Sequence, residues 1–145
     1  MSQAKNHVPA DLTAVTPYLI VDDAAGLIDF LEQAFGAETL ARFEEEDRIA
    51  HAKLRLGDAC VELSDARPEW PARPGSLHYY VPDTDAAYAR ALEAGATSIY
   101  EPADMPYGER SGGVEDPFGN HWYIATLQQE LSDEELRQRM AESAG

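Results

Sequence analysis

Apolar and polar positions alternate along most of this chain with a period of two, broken twice by a stretch whose period is that of a helix. Residues 14–21 read as a strand with Thr16, Tyr18 and Ile20 on one face. Leu27, Phe30, Leu31 and Ala34 then fall at i, i+3, i+4 and i+7, the apolar stripe of a helix that Asp22 or Asp23 can cap and Gly36 can end. Residues 39–45 and 48–56 form an antiparallel pair, with Ala50, Ala52, Leu54 and Leu56 on one face of the second strand and His51, Lys53 and Arg55 on the other. Gly57-Asp58 is a hairpin signal, and residues 59–64 return with Cys60, Glu62 and Ser64 on one face. Pro68, Pro71 and Pro74 mark residues 66–75 as a linker.

The pattern then repeats. Residues 76–81 alternate with Ser76, His78 and Tyr80 together, and Asp83 or Thr84 opens a second helix carrying Tyr88, Ala91 and Leu92. Val21 and Val81 are 60 residues apart and Gly36 and Gly95 are 59 apart, so one deletion aligns the copies. Strands at 97–101, 110–115 and 120–126 complete the second copy. Asp116-Pro117-Phe118-Gly119 suits a type I turn joining the last two. After it His121 and Tyr123 alternate with Trp122 and Ile124. The predicted fold class is therefore α+β, two βαβββ modules at 14–65 and 76–127 with a linker at 66–75. Residues 1–13 read as a flexible N-terminus. Within 128–145, Ser132-Asp-Glu-Glu135 is a capping box, Glu135 and Arg139 are an i,i+4 pair, and Leu136 and Met140 are placed to dock that helix on the domain.

Composition narrows the function classes. The 145 residues hold 27 acidic against 11 basic side chains, a net charge of −16, which argues against nucleic acid as a partner. An acidic surface gives solubility and attracts cationic ligands. No apolar run is long enough for a membrane span, and the start of the chain lacks a secretory signal. Cys60 is the only cysteine and reads as a small apolar filler. These features lead to the expectation of a cytoplasmic protein.

Two βαβββ halves, the endings Phe35-Gly36-Ala37 and Ala94-Gly95-Ala96, and the late Glu115-Asp-Pro-Phe-Gly-Asn-His-Trp122 resemble the vicinal oxygen chelate superfamily of glyoxalases, bleomycin-resistance proteins and extradiol dioxygenases. Pro17-Tyr18-Leu19, His51, Tyr107-Gly108-Glu109-Arg110 and Asp116-Pro117-Phe118-Gly119 are most similar to its PhnB-like branch. The resemblance covers roughly residues 14–127 and implies sheets curled around a cavity, usually in a homodimer. It implies no particular substrate.

The resemblance also implies four metal-ligand positions, and they fall on Thr16, Glu62, Ser76 and Tyr123. Only Glu62 is of a ligand type, so the expectation is that no cofactor is held there. The alternative is a rearranged divalent site of His51, Glu62, His78 and His121, which lie on the polar faces of their strands.

Tyr18, Tyr80, Tyr107 and Tyr123, with Trp122 nearby, suit a pocket that stacks on a planar ligand. His51 and His121 would line the same pocket, His121 partly exposed near the turn, and Arg110 would either clamp an anionic group or pair with one of the many acids. The first functional reading is metal-independent binding of a small planar or cationic organic molecule, as resistance proteins of this superfamily sequester antibiotics. The alternative is a glyoxalase-related lyase or isomerase with His78 as base and Glu62 as its orienting partner.

Overall fold

The computed structural model describes residues 2–144. It divides into two compact units, one ending at Pro74 and the other starting at Gly75.

In the first unit β1 (Tyr18–Val21) leads into α1 (Ala24–Phe35), followed by β2 (Glu38–Glu45), β3 (Arg48–Leu56) and β4 (Ala59–Asp65). The sheet order is β1-β4-β3-β2, with β1 parallel to β4 and the other pairs antiparallel. Asp23 accepts the amide of Gly26 at the start of α1, and Gly36 takes the left-handed conformation that ends it, at φ 65°. Leu27, Ile28, Leu31 and Ala34 are fully buried, as are Ala52, Leu54 and Leu63 on the sheet. One face of the sheet thus carries the core and the other is left for chemistry.

The second unit repeats the order with β5 (Ser76–Tyr80), α2 (Thr84–Glu93), β6 (Thr97–Asp104), β7 (Glu109–Glu115) and β8 (His121–Leu127), the sheet running β5-β8-β7-β6. The repeat holds at the level of register. Tyr18 pairs with Glu62 across β1 and β4, and His78 pairs with Tyr123 across β5 and β8. It holds for capping too: Asp65 accepts the amide of Ala24 at 2.8 Å, and Thr126 accepts that of Thr84 at 3.1 Å. The last helix, α3 (Asp133–Ala144), opens on the expected capping box, with Glu135 and Ser132 exchanging hydrogen bonds. None of its residues is buried; Arg139 donates to Gln129, and its charge adds to the Ser132 bonds in lowering the Glu135 carboxyl.

Three local departures from the periodic reading have physical causes. The first strand starts at Tyr18, because Thr13 and Thr16 turn their hydroxyls onto the carbonyls of Val15 and Thr13. Strand β6 runs on to Asp104 through Pro102, which an edge strand with register shifts tolerates. In β3 the register passes from Phe43–His51 to Glu44–Ile49, leaving Ala50 as an extra residue. That bulge sends Ile49 into the core and turns Ala50 off the face it was expected to share with Ala52 and Leu54.

The Asp116–Gly119 turn is held by the acid itself. Asp116 is buried, and its carboxylate accepts the amides of Phe118 and Asn120, the Asn120 side chain at 2.9 Å and the Trp122 indole at 2.9 Å. Asn120 in turn accepts the amide of Gly75. This motif ties the start of β5 to the β7–β8 hairpin, and its role is structural.

Candidate functional site

In the first unit the face turned away from α1 carries Tyr18, Ile20, His51, Lys53, Glu62 and Ser64. His51 Nε2 lies 2.6 Å from Glu62 Oε2. The imidazole sits between Tyr18, with centroids 6.0 Å apart, and Phe43, at 6.1 Å and nearly parallel. Lys53 is taken up by Asp11 at 2.5 Å, which holds that carboxyl below the usual range. A cavity of about 530 Å³ opens on this face, lined by Tyr18, Ile20, Ala50, Ser64, Asp65, Arg67 and Trp70. Its outer wall comes from the proline-rich linker, where Arg67 and Trp70 bond to one another through their backbones. The Trp70 side chain is 64 % exposed, an indole held at the surface by a turn rather than by a core. Asp65 brings a carboxylate already bonded to the amides of Ala24 and Ile49, and Arg67 reaches Glu45 at 3.3 Å.

In the second unit the corresponding open face carries Ser76, His78 and Tyr80 on β5, His121, Tyr123 and Ala125 on β8, and Glu109, Ser111 and Glu115 on β7. The Tyr80 hydroxyl donates to Glu109 Oε2 at 2.7 Å. That bond, followed by burial and the carboxylate charge, pushes the phenol up to about 12. His78 packs against Tyr80 with ring centroids 4.5 Å apart and tilted by 32°, and its Nε2 lies 3.7 Å from Glu109 Oε1. Burial raises the Tyr107 phenol as well, with Tyr100 and Glu109 acting in the same direction. Tyr100 shares a hydrogen bond with Ser111 at 2.7 Å and stacks on Tyr123 at 6.4 Å. His121 is partly exposed, as expected, and sits 2.8 Å from Glu115 and 3.3 Å from the Tyr123 hydroxyl.

Arg110 takes the second of its two expected roles, a pairing with acids, and Trp122 lies elsewhere than expected. Arg110 is bonded to Asp85 at 2.6 and 2.9 Å and to Asp104 at 3.2 Å, a salt-bridged strut between β7, α2 and β6. Trp122 is 1 % exposed and is a core residue, its indole bonded to Asp116. Within the first unit Glu62 bonds His51, and within the second His78 lies beside Glu109. Cys60 is buried filler. The residues missed were Glu109, Arg67, Asp65 and Trp70. Glu109 was one position from the arginine chosen, and the phase of β7 was the available signal.

The four positions at which the resemblance places metal ligands do not fit a divalent ion. Thr16 donates its hydroxyl to the Thr13 carbonyl, Glu62 is engaged by His51, and Ser76 and Tyr123 add only hydroxyls. One carboxylate and three hydroxyls supply a single donor of the His, Cys or carboxylate kind that such ions select. Among the described residues no three His, Cys, Asp or Glu side chains are grouped so as to hold a metal.

Comparison with known proteins agrees with the topology. The chain is 37 % identical over 140 residues to the Mycobacterium tuberculosis protein Rv0887c, covering 88 % of this chain and 82 % of that one. It is 33 % identical over 127 residues to the Mycobacterium bovis protein bearing the name "Putative glyoxylase CFP32", of which it spans about half, 47 %. Among solved structures, TioX from Micromonospora sp. superposes with TM-score 0.69 at 25 % identity, covering 79 % of this chain and 98 % of that one. A glyoxalase/bleomycin resistance protein/dioxygenase from Nocardioides superposes with TM-score 0.62 at 18 % identity, covering 88 % and 91 %. The family model described as Glyoxalase/Bleomycin resistance protein/Dioxygenase superfamily matches residues 10–124. The chain belongs to that family, the vicinal oxygen chelate superfamily, and carries its two-module fold.

Proposed function

We propose that this protein binds a small planar or cationic organic molecule without a metal, in the manner of the resistance or sequestration proteins its family name includes. The observation that carries the reading is the cavity of about 530 Å³ in the first unit. That volume lies within the usual range for small-molecule sites. Tyr18 and Trp70 supply aromatic surface, Ile20 and Ala50 an apolar lining, and Ser64, Asp65 and Arg67 a few fixed polar groups. Tyr18, His51 and the Tyr107–Arg110 segment also support placing the chain in the PhnB-like branch, acting as a cytoplasmic homodimer.

The test uses the two tryptophans, one exposed and one buried. A panel of planar aromatic amines and cations is titrated while Trp fluorescence and melting temperature are followed. Binders quench Trp70 and raise the melting temperature by mass action. Trp70→Leu removes the quenching and Tyr18→Ala weakens binding. A panel that neither quenches nor stabilises overturns the reading.

A second reading is favoured by the His51–Glu62 contact at 2.6 Å. A carboxylate that orients an imidazole makes a general base, and one relative is named as a glyoxylase. On this reading the protein is a lyase or isomerase whose turnover is abolished by His51→Ala. Full activity in that variant removes the role.

A further inference from the structure

Glu109 is the least satisfied acid of the second unit. Its Oε2 accepts from Tyr80, whereas Oε1 is sealed from solvent and has no hydrogen-bond partner among the described residues. The other such side-chain atom is the hydroxyl of Thr39, which is neutral. A carboxylate oxygen taken from water needs a donor in exchange, and native structures leave few without one. No Lys or Arg side chain among the described residues forms an ion pair with Glu109. The next residue, Arg110, is committed to Asp85 and Asp104 on another side of the strand.

We propose that Glu109 anchors a ligand site on the second sheet, taking the protonated nitrogen of an organic amine or amidine against the rings of His78 and Tyr80. The charge sign follows from the unpartnered carboxylate oxygen. Tyr80 is a neutral donor to the carboxylate, and the basic side chain beside it is His78 at 3.7 Å, which carries charge only when protonated. The preference for an organic cation follows from the Tyr80 ring, tilted against His78, because a phenol face attracts positive charge. Entry is controlled by His78. Its side chain is 46 % exposed and lies 3.7 Å from Oε1, beyond hydrogen-bond distance. A ring so placed can swing aside on the fast timescale of exposed rotamers and uncover the oxygen. The net charge of −16 raises the local concentration of such cations.

This site is built from residues of the second unit and the cavity lined by Trp70 from residues of the first, and the experiment reads the two separately. Benzamidine and its neutral isostere benzamide are titrated into the full chain by calorimetry, with Tyr80 and Tyr107 ring resonances followed by NMR. The expected result is saturable benzamidine binding that shifts both tyrosines, with benzamide weaker by about tenfold or more. Glu109→Gln reduces the benzamidine affinity read from the Tyr80 and Tyr107 shifts by about tenfold, while Trp70 fluorescence reports the first cavity separately. His78→Ala, which uncovers Oε1 and keeps the carboxylate, binds at least as tightly as the native chain. Equal binding of benzamide, undiminished binding by Glu109→Gln, or loss of binding in His78→Ala overturns the proposal.

Discussion

Tyr80 on β5 and Glu109 at the start of β7 are joined by a hydrogen bond of 2.7 Å that passes over the strand between them. Tyr80 is in register with Ala125 on that middle strand, and Ala125 with Ser111 on β7. A methyl group at the centre leaves room for a phenol from one side to meet a carboxylate from the other.

The bond predicts a titration. Tyr80 should ionise near pH 12, against 10 for an ordinary tyrosine, and ultraviolet titration should lose this late phenol in Tyr80→Phe. Because the folded-state value is raised, the bond's contribution to stability is complete below about pH 10 and is lost as pH climbs through about 12. At neutral pH Tyr80→Phe should cost about 1 kcal/mol in urea unfolding, modest because the residue is half exposed.

Ala125→Leu tests the gap. The larger side chain occupies the space under the phenol, so the Tyr80 titration should move back toward 10 while the far-ultraviolet spectrum stays native. Overpacking of this kind costs about 1–3 kcal/mol.

Asp116 should be among the most sensitive positions for folding. Asp116→Ala strips acceptors from two backbone amides, the Asn120 amide group and the Trp122 indole at once. The expected loss is roughly 3 kcal/mol or more, read by chemical denaturation, with a red shift of Trp122 fluorescence.

Gly113→Ala probes the tyrosine stack. A Cβ at Gly113 would lie 2.6 Å from Tyr100 Cε1 and 2.9 Å from its Cδ1, so the ring must shift. The Tyr100–Ser111 bond and the Tyr100–Tyr123 stack should loosen together, with about 1–3 kcal/mol lost and altered aromatic resonances for both tyrosines.

Much of the architecture was legible without coordinates. Apolar spacing located both helices, Asp23 and Asp83 cap them, and the second half repeats the first strand by strand. The site was legible only as a set of residue types. Arg110 and Glu109 are neighbours in the chain, and a one-residue change of strand phase separates the face of a salt-bridged strut from the face that carries His78, Tyr80 and Glu109. Trp122 and Trp70 show the same limit: the motif that drew notice holds the buried indole, and the unremarkable linker holds the exposed one.

The chain's own pattern determined the two βαβββ modules, their caps and the absence of ligand-type side chains at three of the four positions where the resemblance places a metal, because period, capping and donor chemistry are local properties. Tertiary structure alone decided the partners. Which carboxylate meets which imidazole, and which tyrosine is left beside an unsatisfied oxygen, depends on a bulge at Ala50, on the strand order β5-β8-β7-β6 and on a methyl at Ala125. Those bring together residues tens of positions apart, and side-chain pairing at that range is set by distance in space rather than in sequence.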